Sequence, residues 1–248
     1  MTKAEDYRTI LHELSDWDEY LLKESGLPGP RGNIELAQVV ADEGDRQLFQ
    51  RYIAYTADIA PVNSPYEFLT FCGVIGLGRL LAEGDIDLLE TIRRYASDPR
   101  WRTREAVAMA LQRFGEVNME QLIAAMQAWC RGAPLEQRAA AAALCEPRLL
   151  RQKQDAHQVL GILDQITESI EQMKDRRSED FTALRKGMGY CWSVAVVALP
   201  SEGKTLMEKW LISVDKDIRW IMRENLKKNR LVRMDTDWVT NWQRKIER

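Results

Sequence analysis

"SDPRWRTREAVAMAL", residues Ser97–Leu111, decides how the rest of the chain is read. An acidic turn with a proline leads into Trp101 and Arg102. Val107, Ala110, Leu111 and Phe114 then follow at i, i+3, i+4 and i+7, the spacing that gathers apolar side chains on one helix face. Residues 85–97 place Ile86, Leu89, Ile92 and Tyr95 or Ala96 on such a face, and residues 118–131 do so with Leu122, Met126 and Trp129. The breaks "SDPR" (97–100) and "FGEVN" (114–118) are short, so consecutive helices are expected to pack as antiparallel neighbours.

The pattern returns along the chain. "TREAVAMAL" (Thr103–Leu111) and "IRWIMRENL" (Ile218–Leu226) share an Arg at the second position and a Leu at the last, and "QRAAAAALC" (Gln137–Cys145) begins 34 residues after the first. A helical hairpin cannot bury its own apolar face, so a recurring hairpin implies a stacked array. Strand signals are nearly absent: no convincing alternating β-branched run and no Asn-Gly or Asp-Gly hairpin turn stands out. "SDPRWRTREAVAMAL" and "DKDIRWIMRENL" (Asp215–Leu226) resemble HEAT repeats, and the resemblance covers roughly residues 64–147 and 181–231. It implies an all-α superhelix, a HEAT/ARM-like solenoid of about twelve to thirteen helices in a single domain spanning 1–248. Residues 1–63 would be N-terminal helices with a Gly/Pro corner, and 64–248 the repeat array.

The same region resembles, distantly, the DNA alkylation-repair glycosylases built from HEAT-like repeats. The carrying residues are the Trp and Arg-rich helix start Trp101-Arg102-Thr103-Arg104, and "LRKGMGYCWSV" (Leu184–Val194), which looks like a helix those enzymes carry near their C-terminus. The resemblance implies that Trp101, Arg104 and Trp192 line a concave, cationic groove. The chain departs from the family in lacking its Trp-Asp-x-x-Asp helix at the matching place: its one Trp-Asp pair lies in "DWDEY" (Asp16–Tyr20), outside the matched repeats. Without a placed carboxylate, the charge that would stabilise a cationic sugar during base excision is missing. Arg104 also shares a face with Val107 and Leu111, where a structural partner such as Asp98 or its neighbour would suit it.

Composition bounds the alternatives. Of 248 residues, 45% are hydrophobic and 29% charged, which is ordinary for a globular protein with a substantial core. The first twenty residues hold no apolar run of signal-peptide type, and no later run is long enough for a membrane span, so a cytoplasmic location is expected. Cys72, Cys130, Cys145 and Cys191 are scattered without a CxxC pair and the chain has two histidines, so buried free thiols are expected and a structural zinc site is not. No cofactor or metal is implied. A single His-Glu pair, His12-Glu13, falls short of the iron-dependent HEAT-type hydroxylases, and His157 stands alone. Net charge is −3, but residues from Lys216 onward hold 10 Lys+Arg against 5 Asp+Glu.

Three further stretches invite a functional reading. In "GLPGPRGN" (Gly26–Asn33), Arg31, Gly32 and Asn33 could form an anion loop at a helix start, with Asn33 as N-cap. Pro28 and Pro30 withhold two N–H donors and favour a stiff corner instead. In "FLTFCGVIGLGRLL" (Phe68–Leu81), Gly73, Gly76 and Gly78 mimic a dinucleotide pattern, yet no strand precedes them, so close helix–helix approach is expected. On a helix from Asp215 to Arg230, Lys216, Arg219, Arg223, Lys227 and Arg230 would fall in a band of about 80° beside Trp220. Such a ridge could neutralise successive phosphates while the indole stacks, or could be a solvated face pairing with acids elsewhere. The reading from sequence is a non-catalytic binding or scaffold protein for a protein or nucleic-acid partner, with a DNA-binding, alkylation-repair-type protein as the alternative.

Overall fold

The structure, a computed structural model, describes residues 2–246. Among these residues there are fifteen helices and no strand. The chain divides into two compact units, Met1–Val117 and Asn118–Arg248.

In the first unit the order is α1 (Lys3–Glu13), α2 (Asp18–Glu24), α3 (Ile34–Glu43), α4 (Arg46–Ile53), α5 (Pro65–Ala82), α6 (Leu88–Ala96) and α7 (Trp101–Val117). Helix α5 packs on α3 and α7, so alternate helices form one layer, with α4 against α5 and α6 covering the seam between α5 and α7. Ser64 starts α5 by accepting from the Glu67 N–H, with Pro65 at the first helical position, where no N–H is needed. Helix α5 is apolar on nearly all sides because neighbours surround it: Phe68, Leu69, Val74 and Leu77 are buried.

Its glycines serve that packing. A Cβ at Gly73 would lie 2.9 Å from Tyr52 Cβ, one at Gly76 2.4 Å from the Phe49 ring, and one at Gly78 2.4 Å from Ala110 Cα. These approaches are closed to any larger residue. The expected face of α7 is present, with Val107, Ala110, Leu111 and Phe114 all buried.

The second unit runs α8 (Met119–Trp129), α9 (Pro134–Leu144), α10 (Lys153–Gln172), α11 (Glu179–Ala198), α12 (Pro200–Leu211), α13 (Lys216–Leu226), α14 (Asn229–Met234) and α15 (Thr236–Ile246). Here α9, α11, α13 and α15 pack in series, while α8, α10 and α12 form the other row. This serial i, i+2 contact is how a hairpin array closes a core that no single hairpin could bury. All four cysteines are buried free thiols, and burial pushes the Cys72 and Cys145 thiols up, which favours the unreactive protonated form. No helix among the described residues is long and apolar enough to cross a membrane.

Fifteen helices exceed the twelve to thirteen expected. Helices α2 and α14 have seven and six residues, too few for a 3.6-residue period to repeat. In addition, the helix read from Asp215 to Arg230 is two. Helix α13 ends at Leu226, Lys228 takes an extended conformation, and α14 begins at Asn229. Asn225 is fully buried and holds the junction: it accepts from Ser193 N–H (2.8 Å) and donates to the carbonyls of Met188 and Ile221 (both 2.8 Å).

Candidate nucleic-acid interface

The start of α7 and the Gly/Pro corner are tied together by arginines. Arg100, 1% exposed, grips both oxygens of Asp98 and donates to the carbonyls of Tyr55 and Ala60. Arg102 reaches Glu67 (3.2 Å), which is wholly buried, together with Gly29 O (2.6 Å) and Asn63 Oδ1 (3.2 Å). Its guanidinium also lies 4.3 Å from the Trp101 ring centroid.

Arg104 donates to the carbonyls of Asp98 (2.6 Å) and Pro99 (3.0 Å), because the Asp98 carboxylate already belongs to Arg100. The side chain braces the turn before α7. Trp101 is 45% exposed.

The Gly26–Asn33 loop is a braced corner. Gly29 N–H goes to Asn63 Oδ1, Asn33 N–H to Ser25 O and Ile34 N–H to Gly32 O, while Pro28 and Pro30 have none to offer. The Asn33 side chain caps α3 as expected, and its amide nitrogen is held by Tyr7 and Glu24. Arg31 is exposed and Gly32 half-buried, and the bonds that brace the corner come from the residues on either side of them.

In the second unit, Trp192 cannot line a groove. It is 0% exposed and its indole N–H donates to Thr167 Oγ1 at 3.0 Å. The reason is periodicity: Phe181, Leu184, Met188 and Trp192 form one buried stripe of α11.

The basic ridge is also divided. Arg219 and Arg223 both donate to Ile246 O (3.3 and 2.9 Å), so they cap the C-terminus of α15. Trp220 is half-buried under the Arg185 guanidinium, 4.7 Å from its ring. Lys216 is exposed at the start of α13.

At the far end of α13 the structure gathers a different set. Tyr190, Lys227, Lys228, Asn229, Arg230 and Arg233 line a hollow of about 430 Å³. Tyr190 is 42% exposed, and its hydroxyl accepts a bond from Arg230. Lys228 and Arg230 lie 5.7 and 4.6 Å from its ring centroid. Lys227 is paired with Glu224 at 2.5 Å, but Lys228, Arg230 and Arg233 have no carboxylate within ion-pairing distance among the described residues.

Three uncompensated cations held by a tyrosine and a tight interhelix turn form a concentrated positive site. Of these residues Lys227 and Arg230 were expected. Tyr190, Lys228 and Arg233 were not, although "KKNRLVR" (Lys227–Arg233) is the densest basic run of the chain's end.

No protein-family profile and no curated protein sequence matches the chain. The fold does have a solved counterpart: the crystal structure of AlkD2 from Streptococcus mutans matches with a TM-score of 0.62, covering 85% of this chain and 96% of that one. The two are 19% identical, so the likeness is one of fold. It agrees with the all-α, HEAT-like helical-repeat fold read from the sequence.

Proposed function

We propose that this chain binds a nucleic acid by its phosphate backbone, through the basic hollow around Tyr190, and does so without excising a base. The observation that carries the reading is the set Lys228, Arg230 and Arg233, cations with no acidic partner among the described residues, gathered beside an exposed phenol. Free cations on a rigid helical junction can displace the counterions of a polyanion without first breaking an ion pair. The likeness of fold to AlkD2 supports the reading at the level of architecture.

The state of two buried carboxylates supports binding without excision. Glu67 is held by Arg102, and Asp217 by Arg176 (3.3 Å) and Arg185 (2.7 Å). A carboxylate already neutralised by arginine adds little stabilisation to a developing sugar cation.

The test is fluorescence anisotropy with a labelled duplex at several salt concentrations. With Lys227 included, four phosphate contacts give a slope of about −3.6 in log K against log salt, and so a loss of about 150-fold between roughly 50 and 200 mM. The double variant Arg230→Glu/Arg233→Glu should lower affinity and flatten the slope by about two. A flat salt dependence, or unchanged binding in that variant, rejects the proposal.

A protein partner is the second reading, favoured by a different surface. Ile59, Val62, Tyr66 and Trp101 are 58%, 52%, 44% and 45% exposed on or beside the loop that precedes α5. Such a set can anchor a partner. Association with a defined protein that is abolished by Val62→Lys and indifferent to Arg230→Glu would support it.

A further inference from the structure

A second cationic cavity lies at the other end of α13. Lys174, Asp175, Arg176, Arg177, Arg185, Lys216, Asp217 and Trp220, with Met173, enclose about 680 Å³, within the range of small-ligand sites and far more than one phosphate fills. The charges divide into two groups.

Arg176 is fully engaged in structure: it donates to the carbonyls of Ile170, Glu171 and Met173, closing the end of α10, and pairs with Asp215 and Asp217. Arg185 pairs with Asp217 and lies over Trp220. Asp217 is therefore bracketed by two guanidiniums, and Asp175 accepts the Arg177 backbone N–H.

Lys174, Arg177 and Lys216 remain. All three are exposed, and none has an ion-pair partner among the described residues.

We propose that this cavity is a socket for a phosphomonoester, the terminal phosphate of a nucleic-acid strand or the phosphate of a free nucleotide. In its strand-end form the inference rests on the nucleic-acid reading above. The charge count selects the ligand. With the Asp175 carboxylate set against Lys174, Arg177 and Lys216, the free lining carries about +2: a backbone phosphodiester brings one negative charge, whereas a monoester brings about 1.5 to 2 at neutral pH and offers three acceptor oxygens.

Shape argues the same way. Beside these cations the indole of Trp220 stands in the wall of the hollow, which suits a phosphate attached to a flat ring. Lys216 and Lys227 stand eleven residues apart on nearly the same side of α13, about 16 Å along its axis. At about 3.4 Å of axis per phosphate, that distance is about five phosphates of one strand. A strand whose body meets the Tyr190 hollow can thus present its end to the socket.

The experiment compares three probes on the full chain: a labelled duplex with a 5′- or 3′-phosphate, the same duplex with hydroxyl ends, and adenosine monophosphate. Wild type is set against Arg177→Glu/Lys216→Glu, a pair of exposed positions whose reversal leaves the core untouched. The expected result is about tenfold tighter binding of one phosphorylated duplex over the hydroxyl duplex, an advantage lost in the variant, and competition by the nucleotide.

Equal binding of all three duplexes with no nucleotide binding overturns the socket while the nucleic-acid reading stands. Nucleotide binding that depends on Arg177 and Lys216, with no duplex bound, supports the socket for free nucleotides and defeats the other reading. Failure of every probe defeats both.

Discussion

Replacing Gly78 with alanine should destabilise the protein, although alanine is the better helix former. In a free helix the change gains about 1 kcal/mol. Here the added methyl would stand 2.4 Å from Ala110 Cα, 2.6 Å from Ala110 Cβ and 2.8 Å from Ala110 O, so it meets the backbone of α7 and no flexible side chain can give way. Relief requires α5 and α7 to separate along a crossing where α5 is buried on nearly all sides. Overpacking of this kind costs about 1–3 kcal/mol, and a clash with backbone belongs at the upper end. The net expectation is a loss of about 2 kcal/mol, or about 4–8 °C in Tm for a chain of this size.

Gly161 on α10 supplies the control, because a Cβ there meets nothing within 4 Å. Gly161→Ala should therefore gain up to about 1 kcal/mol. Thermal and urea unfolding of both variants measures the difference in sign. A Gly78→Ala protein as stable as wild type, beside the expected gain at Gly161, would refute the claim that these glycines exist to bring helices together.

Other perturbations test other joints. Arg102→Met leaves Glu67 buried without its cation and should cost about 3–5 kcal/mol, with much of the loss recovered in the double variant with Glu67→Gln; urea midpoints of the three proteins check this. Trp192→Ala should cost about 3–5 kcal/mol in chemical denaturation, with the folded fraction keeping its affinity for duplex, since the indole is wholly inside.

Acid should weaken the fold. Burial pushes Asp215 up, but the Arg176 guanidinium and the backbone N–H groups of Ile218 and Asp217 outweigh it and hold the carboxyl below its ordinary value of 3.8. Because the folded value is depressed, the stabilisation is present above that ordinary value and is lost as pH falls below it. Stability measured from pH 6 down to 2.5 should thus decline less steeply in Asp215→Asn than in wild type.

Helix identity was legible in the sequence where a period repeats clearly: α7 and α8 bury the faces their spacing requires, and Asn33 caps α3, whereas Ile86, placed by its spacing on the face of α6, lies before that helix and is exposed. The glycines of α5 were also readable, since a phosphate loop needs a preceding strand and they had none. The ridge was not. A helical wheel places Arg219, Arg223 and Arg230 together, but it is blind to the carbonyl of Ile246, which lies 23 residues beyond Arg223 and takes two of the three. Nor does it register Asn225, whose buried bonds to α11 fix where α13 ends. Trp192 is a different case. Its stripe with Phe181, Leu184 and Met188 was in the sequence, and its burial follows from that spacing.

The two units differ in charge in a way that separates structural from available cations. Residues 1–117 hold 13 Lys+Arg against 20 Asp+Glu, and residues 118–248 hold 22 against 18. In the acidic unit most of the arginines close on acids or carbonyls: Arg8 on Glu43, Arg51 on Asp18, Arg100 on Asp98, Arg102 on Glu67 and Arg113 on Asp42. With carboxylates in excess there, most of the cations have a partner within reach and the field that extends into solvent is negative.

The basic unit reverses that balance. Its carboxylates satisfy Arg176, Arg185, Lys204 and Lys209, and among the cations left over, six line the hollows at the two ends of α13. A polyanion should therefore meet the second unit first, and its attachment should depend on Lys174, Arg177, Lys216, Lys228, Arg230 and Arg233, not on the arginines that already have a carbonyl or a carboxylate to hold.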